Sequence, residues 1–201
     1  MNNKTLVDPS YRSDLFGTVL KPNDLSYDQL MYEGILKITN DVNNSDFMIC
    51  LNFVLKYLTK ITNIDNFIYF ASSHSSDEEN NSYNTNLTNG NKINPFDDLV
   101  LRFPKKFNYS NKPTSNSIIF YGINPNDIND VSHVGFMVNL FGEDWIISKF
   151  GGGDVYLHKI LSVPAHYNKP VKYLNVCDND YHNYFKRIEI LLEKQITKFK
   201  N

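Results

Sequence analysis

The second half of the sequence contains five short segments rich in aliphatic, aromatic and β-branched residues, each bounded by Gly, Asn, Asp or Pro. They are SIIFYG (117–122), HVGFMVNLF (133–141), DWIISKF (144–150), DVYLHKI (154–160) and PVKYLNV (170–176). Segments of this length between turn residues are typical of β-strands. Residues 141–144 and the glycines at 151–153 predict tight turns between consecutive strands. The sequence therefore predicts an antiparallel sheet of about five strands.

Helical patterns stand on both sides of these strands. In residues 26–39, apolar residues recur at helical spacing after Ser26, which predicts a helix. Residues 43–61 carry a broad apolar stripe, which predicts a core helix with Cys50 in its early turns. Residues 180–199 predict an amphipathic C-terminal helix. Helices, then consecutive strands, then a helix indicate an α+β fold rather than alternating βαβ units.

A chain of 201 residues and 23.3 kDa is most simply one domain, covering residues 1–201. Residues 1–25, with two prolines, are expected to be an irregular N-terminal segment. Residues 72–94 are polar, poor in aliphatic residues and without periodicity, which predicts a flexible insertion within the domain.

Composition excludes several classes of function. A formal net charge of −2 gives no basic surface for nucleic acid, and no apolar run is long enough to span a membrane. The N-terminal residues show no signal-peptide pattern, so we expect cytoplasmic synthesis, with export by a specialised secretion system left open. No Cys/His spacing indicates a metal site, no motif indicates a cofactor, and the oligomeric state is not predicted.

Two residues suggest chemistry, Cys50 on the core helix and His133 at the start of a strand. A helix N-terminus favours the thiolate, which is the nucleophilic form of cysteine. A neighbouring imidazole can take the thiol proton, and a third polar group can orient the imidazole. Taken alone, however, each residue also fits a structural role, Cys50 as a small buried hydrophobe and His133 as a strand cap.

The segments around both residues resemble the NlpC/P60 and CHAP branch of papain-like cysteine peptidases and amidases. Cys50-Leu51-Asn52-Phe53 corresponds to the family's helix motif D-C-S-G-F. Residues 116–121 (NSIIFY) and 133–136 (HVGF) correspond to the strand motifs G-D-[IVL]-[IV]-F-[FY] and H-V-[GA]-[IV]. The similarity extends from about residue 46 to 176, interrupted by the polar insertion.

This resemblance implies a papain-like fold with N-terminal helices packed on the sheet, and it implies roles for individual residues. Cys50 would be the nucleophile and His133 the general base. The third polar residue would lie on the next strand, at Ser148. The segment SKFGGGDVYLHKILSVPAHY (148–167) is similar to a bacterial subset with an S-K-[WF]-G turn, a histidine and a Val-Pro…Tyr segment. That similarity brings His158 to the site or into its support.

The chain departs from the family pattern at four positions. Ile49 replaces an acidic residue, Leu51 and Asn52 replace a small Ser-Gly pair, and Ser117 replaces the strand aspartate. The resemblance predicts a cysteine-dependent peptidase or amidase acting on a peptide or peptidoglycan-type substrate, either an effector or an intracellular enzyme. The larger residues after the cysteine also leave open an inactive papain-like binding or immunity module. An acyltransferase on the same scaffold is a further alternative.

Overall fold

The computed structural model describes residues 19–22, 35–39, 50–64, 94–124, 130–150 and 155–198. Within these ranges the fold is α+β, with an antiparallel sheet, helices packed on it and a long C-terminal helix. The strands are β1 (Val19–Pro22), β2 (Ile35–Thr39), β3 (Phe107–Ser110), β4 (Ile118–Gly122), β5 (Val131–Leu140), β6 (Glu143–Lys149), β7 (Val155–Lys159) and β8 (Lys169–Val176). The helices are α1 (Cys50–Ile61), α2 (Pro95–Arg102) and α3 (Asn179–Lys198), and a short 3-10 turn spans Ala165–Tyr167.

The described strands form one eight-stranded sheet in the order β1-β2-β7-β6-β5-β4-β8-β3, and every neighbouring pair is antiparallel. Strands β4 to β7 are consecutive both in the chain and in the sheet, as the sequence predicts. The turn between β5 and β6 consists of Phe141 (φ 54°) and Gly142 (φ 81°). Two positive φ angles match the twist of a hairpin. The predicted tight turn is therefore confirmed at residues 141–142, whereas Glu143 and Asp144, which the prediction included, are the first residues of β6.

Three expectations about the sheet are wrong. The sheet has eight described strands rather than about five. Residues 35–39, predicted to be helical, form β2 between β1 and β7, and residues 19–22, predicted to be irregular, form β1. The strand Phe107–Ser110 lies in a polar segment without a strand pattern and is held by pairing with β8. Most of the predicted insertion, 72–93, and the glycine turn at 151–153 lie outside the described residues.

The larger hydrophobic core lies between one face of the sheet and helices α1 and α3. Helix α1 buries the predicted apolar stripe, whose described members are Cys50, Phe53, Val54, Tyr57, Leu58 and Ile61. Helix α3 buries most of its predicted apolar face in the same way. Helix α2 begins after Asn94, whose side chain accepts a hydrogen bond from the amide of Phe96 at 2.9 Å.

The opposite face of the sheet carries a second, smaller cluster. Its buried members are Ile119, Tyr121, Met137, Ile146 and Tyr167. Tyr167 comes from the 3-10 turn in the connection between β7 and β8, so this connection covers part of that face. The two clusters place apolar side chains on both faces of the central strands, which explains why those strands read as nearly continuous hydrophobic runs.

Candidate active site

Three polar side chains meet on the face of the sheet that carries the smaller cluster. His133 is on β5, Ser148 on β6 and His158 on β7, and these strands are direct neighbours. Side chains alternate between faces along a strand, so Ser148 shares its face with Ile146 and Phe150, as the sequence predicts. All three polar residues are fully buried.

Ser148 links the two histidines directly. Its Oγ lies 2.9 Å from Nε2 of His133 and 2.8 Å from Nε2 of His158. Nδ1 of His158 lies 2.8 Å from the carbonyl oxygen of Lys159. Nδ1 of His133, by contrast, is buried and has no hydrogen-bond partner among the described residues. The result is a chain of polar groups that leaves one ring nitrogen of His133 unsatisfied.

Aromatic rings enclose the imidazole of His133. The ring of Tyr167 stacks on it with 4.1 Å between centroids and 9° between planes. Tyr121 and Phe150 contact it at 5.5 and 5.6 Å. Ser132 Oγ donates a hydrogen bond of 2.6 Å to the carbonyl oxygen of Tyr167, which holds the 3-10 turn against β5. Tyr167 therefore closes the site toward solvent in this state.

Both histidines are neutral at pH 7. Burial, together with the neighbouring His158 and His166, lowers the pKa of His133 to about 3. Burial also lowers the pKa of His158 to about 4, although its backbone hydrogen bond to Lys159 acts in the opposite direction. The described hydrogen-bond partners of the two rings include no carboxylate that would favour an imidazolium.

Cys50 lies in the first turn of α1 and belongs to the larger core, on the other face of the sheet from His133. Only 9% of the residue is exposed. Burial raises the pKa of its thiol to about 11, although backbone hydrogen bonds from Val134, Leu51 and Cys50 itself lower it in part. The sulfur therefore reaches the backbone of β5 at the residue that directly follows His133.

The structure thus brings His133, Ser148 and His158 together and leaves Cys50 on the opposite face of the sheet, in contact with the backbone of the same strand. No hydrogen bond joins the Cys50 sulfur to Nδ1 of His133. The thiol is protonated and the imidazole is neutral, so the two do not form an ion pair in this state. A thiol on the helix side of the sheet and an imidazole on the other side are thus separated by the backbone of one strand.

Comparisons with models of known protein families, with curated proteins and with solved structures find no match to this chain. Its function therefore has to be inferred from the geometry of these residues.

Gly135 explains how Ser148 can lie so close to β5. A Cβ atom at Gly135 would lie 2.5 Å from Cγ2 of Ile146 and 2.9 Å from Cβ of Ser148. Both distances are shorter than a van der Waals contact, so a side chain at this position would push β6 side chains away. The glycine of the H-V-G segment thus makes room for the hydroxyl that binds His133.

Ser117, at the position of the strand aspartate in the resembling family, has a structural role. It is fully buried, and its Oγ accepts a hydrogen bond from the amide of Thr114 at 2.8 Å. The same oxygen lies 2.8 Å from Oδ1 of Asn175. These contacts tie the start of β4 to the preceding turn and to β8, away from His133.

Sequence reasoning did not assign a role to Tyr167, which covers the imidazole. The signal was present in the Val-Pro…Tyr pattern of residues 163–167, which ends on this tyrosine. Among the described residues, no group of three or more His, Cys, Asp or Glu side chains could hold a metal ion. None of the helices in the same part of the chain has the length and apolar character needed to cross a membrane.

Proposed function

We propose that this chain is a cysteine-dependent peptidase or amidase with a papain-like fold of the NlpC/P60 type, in which Cys50 is the nucleophile and His133 the base. One observation carries the proposal. The Cys50 sulfur contacts the backbone of Val134, next to a histidine whose Nε2 is held by Ser148 and whose Nδ1 has no hydrogen-bond partner among the described residues. An imidazole held at one nitrogen and unpartnered at the other is suited to accept a proton.

In the proposed reaction, Sγ of Cys50 attacks the carbonyl carbon of an amide bond. His133 accepts the thiol proton at Nδ1 as the C–S bond forms, and returns it to the leaving nitrogen as the C–N bond breaks. Water then attacks the thioester, with His133 again as the base, and releases the acid and the free thiol. Because burial raises the pKa of Cys50 to about 11 and lowers that of His133 to about 3, proton transfer accompanies attack rather than preceding it.

The reaction requires a rearrangement of the state described here. Tyr167 stacks on the imidazole, and Sγ is not hydrogen-bonded to Nδ1. Because Cys50 and His133 lie on opposite faces of the sheet, substrate binding would have to displace the 3-10 turn at Ala165–Tyr167 and also rearrange β5 at His133 and Val134, so that Sγ and Nδ1 approach to hydrogen-bond distance. Catalytic hydrogen bonds often become short only when substrate is bound. The contacts of the turn include the hydrogen bond from Ser132 and the stacking of Tyr167 on His133, and both would have to be released.

The test uses peptidoglycan stem peptides, the commonest substrates of the resembling family, together with a library of unmodified peptides. We expect the wild-type protein and the Cys177→Ala variant to release the same cleavage products, identified by mass spectrometry. The Cys50→Ala variant should release none while its circular dichroism spectrum is unchanged. Cys177 is exposed and outside the site, so its variant is the matched control. Full activity in Cys50→Ala would reject the proposal.

A second candidate is an inactive papain-like module that binds a partner, and the burial of Cys50 favours it. A thiol that is 9% exposed with a pKa of about 11 is a poor nucleophile until its surroundings change. Under this candidate, no peptide is cleaved and a peptidyl chloromethyl ketone labels Cys177 alone. Labelling of Cys50 by that reagent, which needs access to the site, would exclude the inactive module.

A further inference from the structure

We propose that His158, acting through Ser148, fixes the tautomer of His133, so that Nε2 of His133 carries the proton and Nδ1 is a bare lone pair. The inference follows from the order of donors and acceptors along four groups on three adjacent strands. Its catalytic consequence rests on the proposed function, whereas the tautomers themselves do not.

The carbonyl group of Lys159, at one end of this series of hydrogen bonds, determines the order of donors and acceptors. A backbone carbonyl oxygen can only accept a hydrogen bond, so Nδ1 of His158, 2.8 Å away, must carry a hydrogen. A neutral imidazole has one N–H, which leaves Nε2 of His158 as an acceptor. The neutral form is the one that this fully buried position favours.

The remaining two bonds then follow. Ser148 must donate its single hydroxyl hydrogen to Nε2 of His158, at 2.8 Å. The serine oxygen can now only accept from His133, so Nε2 of His133, at 2.9 Å, carries the hydrogen. Nδ1 of His133 is left without one, in agreement with its lack of a partner. His133 and His158 therefore have opposite tautomers.

The reverse order is unfavourable for two reasons. If Nε2 of His158 donated to Ser148, both ring nitrogens would carry hydrogens and His158 would be a buried cation. Its described hydrogen-bond partners and ring contacts are a hydroxyl, a carbonyl and the rings of His133 and Phe150, none of which carries a negative charge. His133 would then carry its hydrogen on Nδ1, as a buried donor with no acceptor among the described residues.

This order gives His158 a defined role as a positioning residue. The bare Nδ1 of His133 is the atom that would accept the proton of a thiol. When Nδ1 accepts that proton, the N–H at Nε2 keeps its hydrogen bond to Ser148. No other hydrogen in this series of hydrogen bonds has to move. A third group that orients a catalytic imidazole is commonly a carboxylate or an amide. Here a hydroxyl and a second neutral imidazole perform the task.

The first test is the ¹⁵N–¹H correlation spectrum of the histidine rings of the full-length wild-type protein at pH 7. The rings are assigned by the signals lost in His133→Gln and in His158→Gln. We expect the proton on Nε2 in His133 and on Nδ1 in His158. The same tautomer in both rings, the reverse pair, or a cationic ring at pH 7 would overturn the inference.

The second test compares two substitutions at one position. In His158→Gln, the amide oxygen can still accept from Ser148, whereas His158→Leu removes the acceptor and frees the hydroxyl to donate to His133. We expect the leucine variant to move the His133 proton to Nδ1 and to lose roughly 10²-fold in kcat. In the glutamine variant we expect the His133 proton to stay on Nε2 and most of the wild-type kcat to remain. Equal kcat and equal spectra in the two variants would refute the positioning role.

The two tests distinguish a failure of this inference from a failure of the proposed function. Opposite tautomers in a protein that cleaves nothing would leave the inference standing and reject the enzyme. Cleavage that depends on Cys50, found together with the reverse tautomers, would support the proposed enzyme and reject the inference about the tautomers. If neither variant of His158 folds, the wild-type spectrum still decides, because His133→Gln assigns the His133 ring and substitution of the three other histidines in turn leaves the His158 ring by elimination.

Discussion

Replacing Ser148 with alanine removes one oxygen that satisfies two buried imidazoles. Both Nε2 atoms, at 2.9 and 2.8 Å from Oγ, lose their partner, and both histidines are fully buried. Leaving a buried polar group unsatisfied costs about 1–3 kcal/mol. Two such groups therefore predict a loss of about 2–6 kcal/mol in the free energy of unfolding, a large share of the stability of a domain of this size.

Urea unfolding at pH 7, followed by the fluorescence of the single, buried Trp145, measures this loss. Ser110→Ala is the matched control, because that hydroxyl makes one exposed hydrogen bond, to the amide of Lys112. We expect the control to change stability by less than about 0.5 kcal/mol. A loss in Ser148→Ala no greater than in the control would refute the hydrogen-bonded chain as described.

Three further predictions address the site and the hairpin beside it. Gly135→Ala should destabilise the protein by about 1–3 kcal/mol, since its Cβ would lie 2.9 Å from Cβ of Ser148; an unchanged urea midpoint would contradict this. Phe141→Asn should raise the melting temperature by an amount equivalent to about 0.5–1 kcal/mol, because Asn adopts the positive φ of this turn more readily than Phe. Phe141→Ala, with the same backbone strain, should give no gain. Since the folded-state pKa values of His133 (about 3) and His158 (about 4) lie below the unfolded value of 6.5, the unfolded chain binds more protons on acidification. Stability should be fully present above pH 6.5 and fall as the pH is lowered to about 4 for His158 and about 3 for His133, by up to about 1.4 kcal/mol per pH unit for each histidine. A slope unchanged by His158→Gln would argue against that residue's contribution.

The local sequence pattern predicts strands that pair with their neighbours in sequence. It fails for strands whose partners are far away in the sequence. Strands β4 to β7 each pair with a sequence neighbour, so alternation and turn residues were sufficient to place them. The residues of β2 fit a helical spacing equally well, and pairing with β7, more than 100 residues away, decides their conformation. Strand β3 is similar, because its polar sequence pairs with β8.

The sequence predicted that His133, Ser148 and His158 would lie close together, but not how they are connected. Alternation along β6 placed Ser148 on the same face as Ile146 and Phe150, and the family resemblance pointed to His158. The sequence could not show that one hydroxyl would bind both imidazoles, because that depends on the register of three strands. Nor could it show that α1 would pack on the face opposite His133, with Cys50 meeting the backbone of Val134.

The most direct test of the proposed pairing is a crystal structure of the protein after reaction with a peptidyl chloromethyl ketone. We expect the adduct on Sγ of Cys50, Tyr167 displaced from the imidazole, and Nδ1 of His133 within hydrogen-bond distance, about 3–4 Å, of the sulfur. An adduct on Cys177 alone, or an adduct on Cys50 with His133 still enclosed and turned away from the sulfur, would contradict a Cys50–His133 catalytic pair.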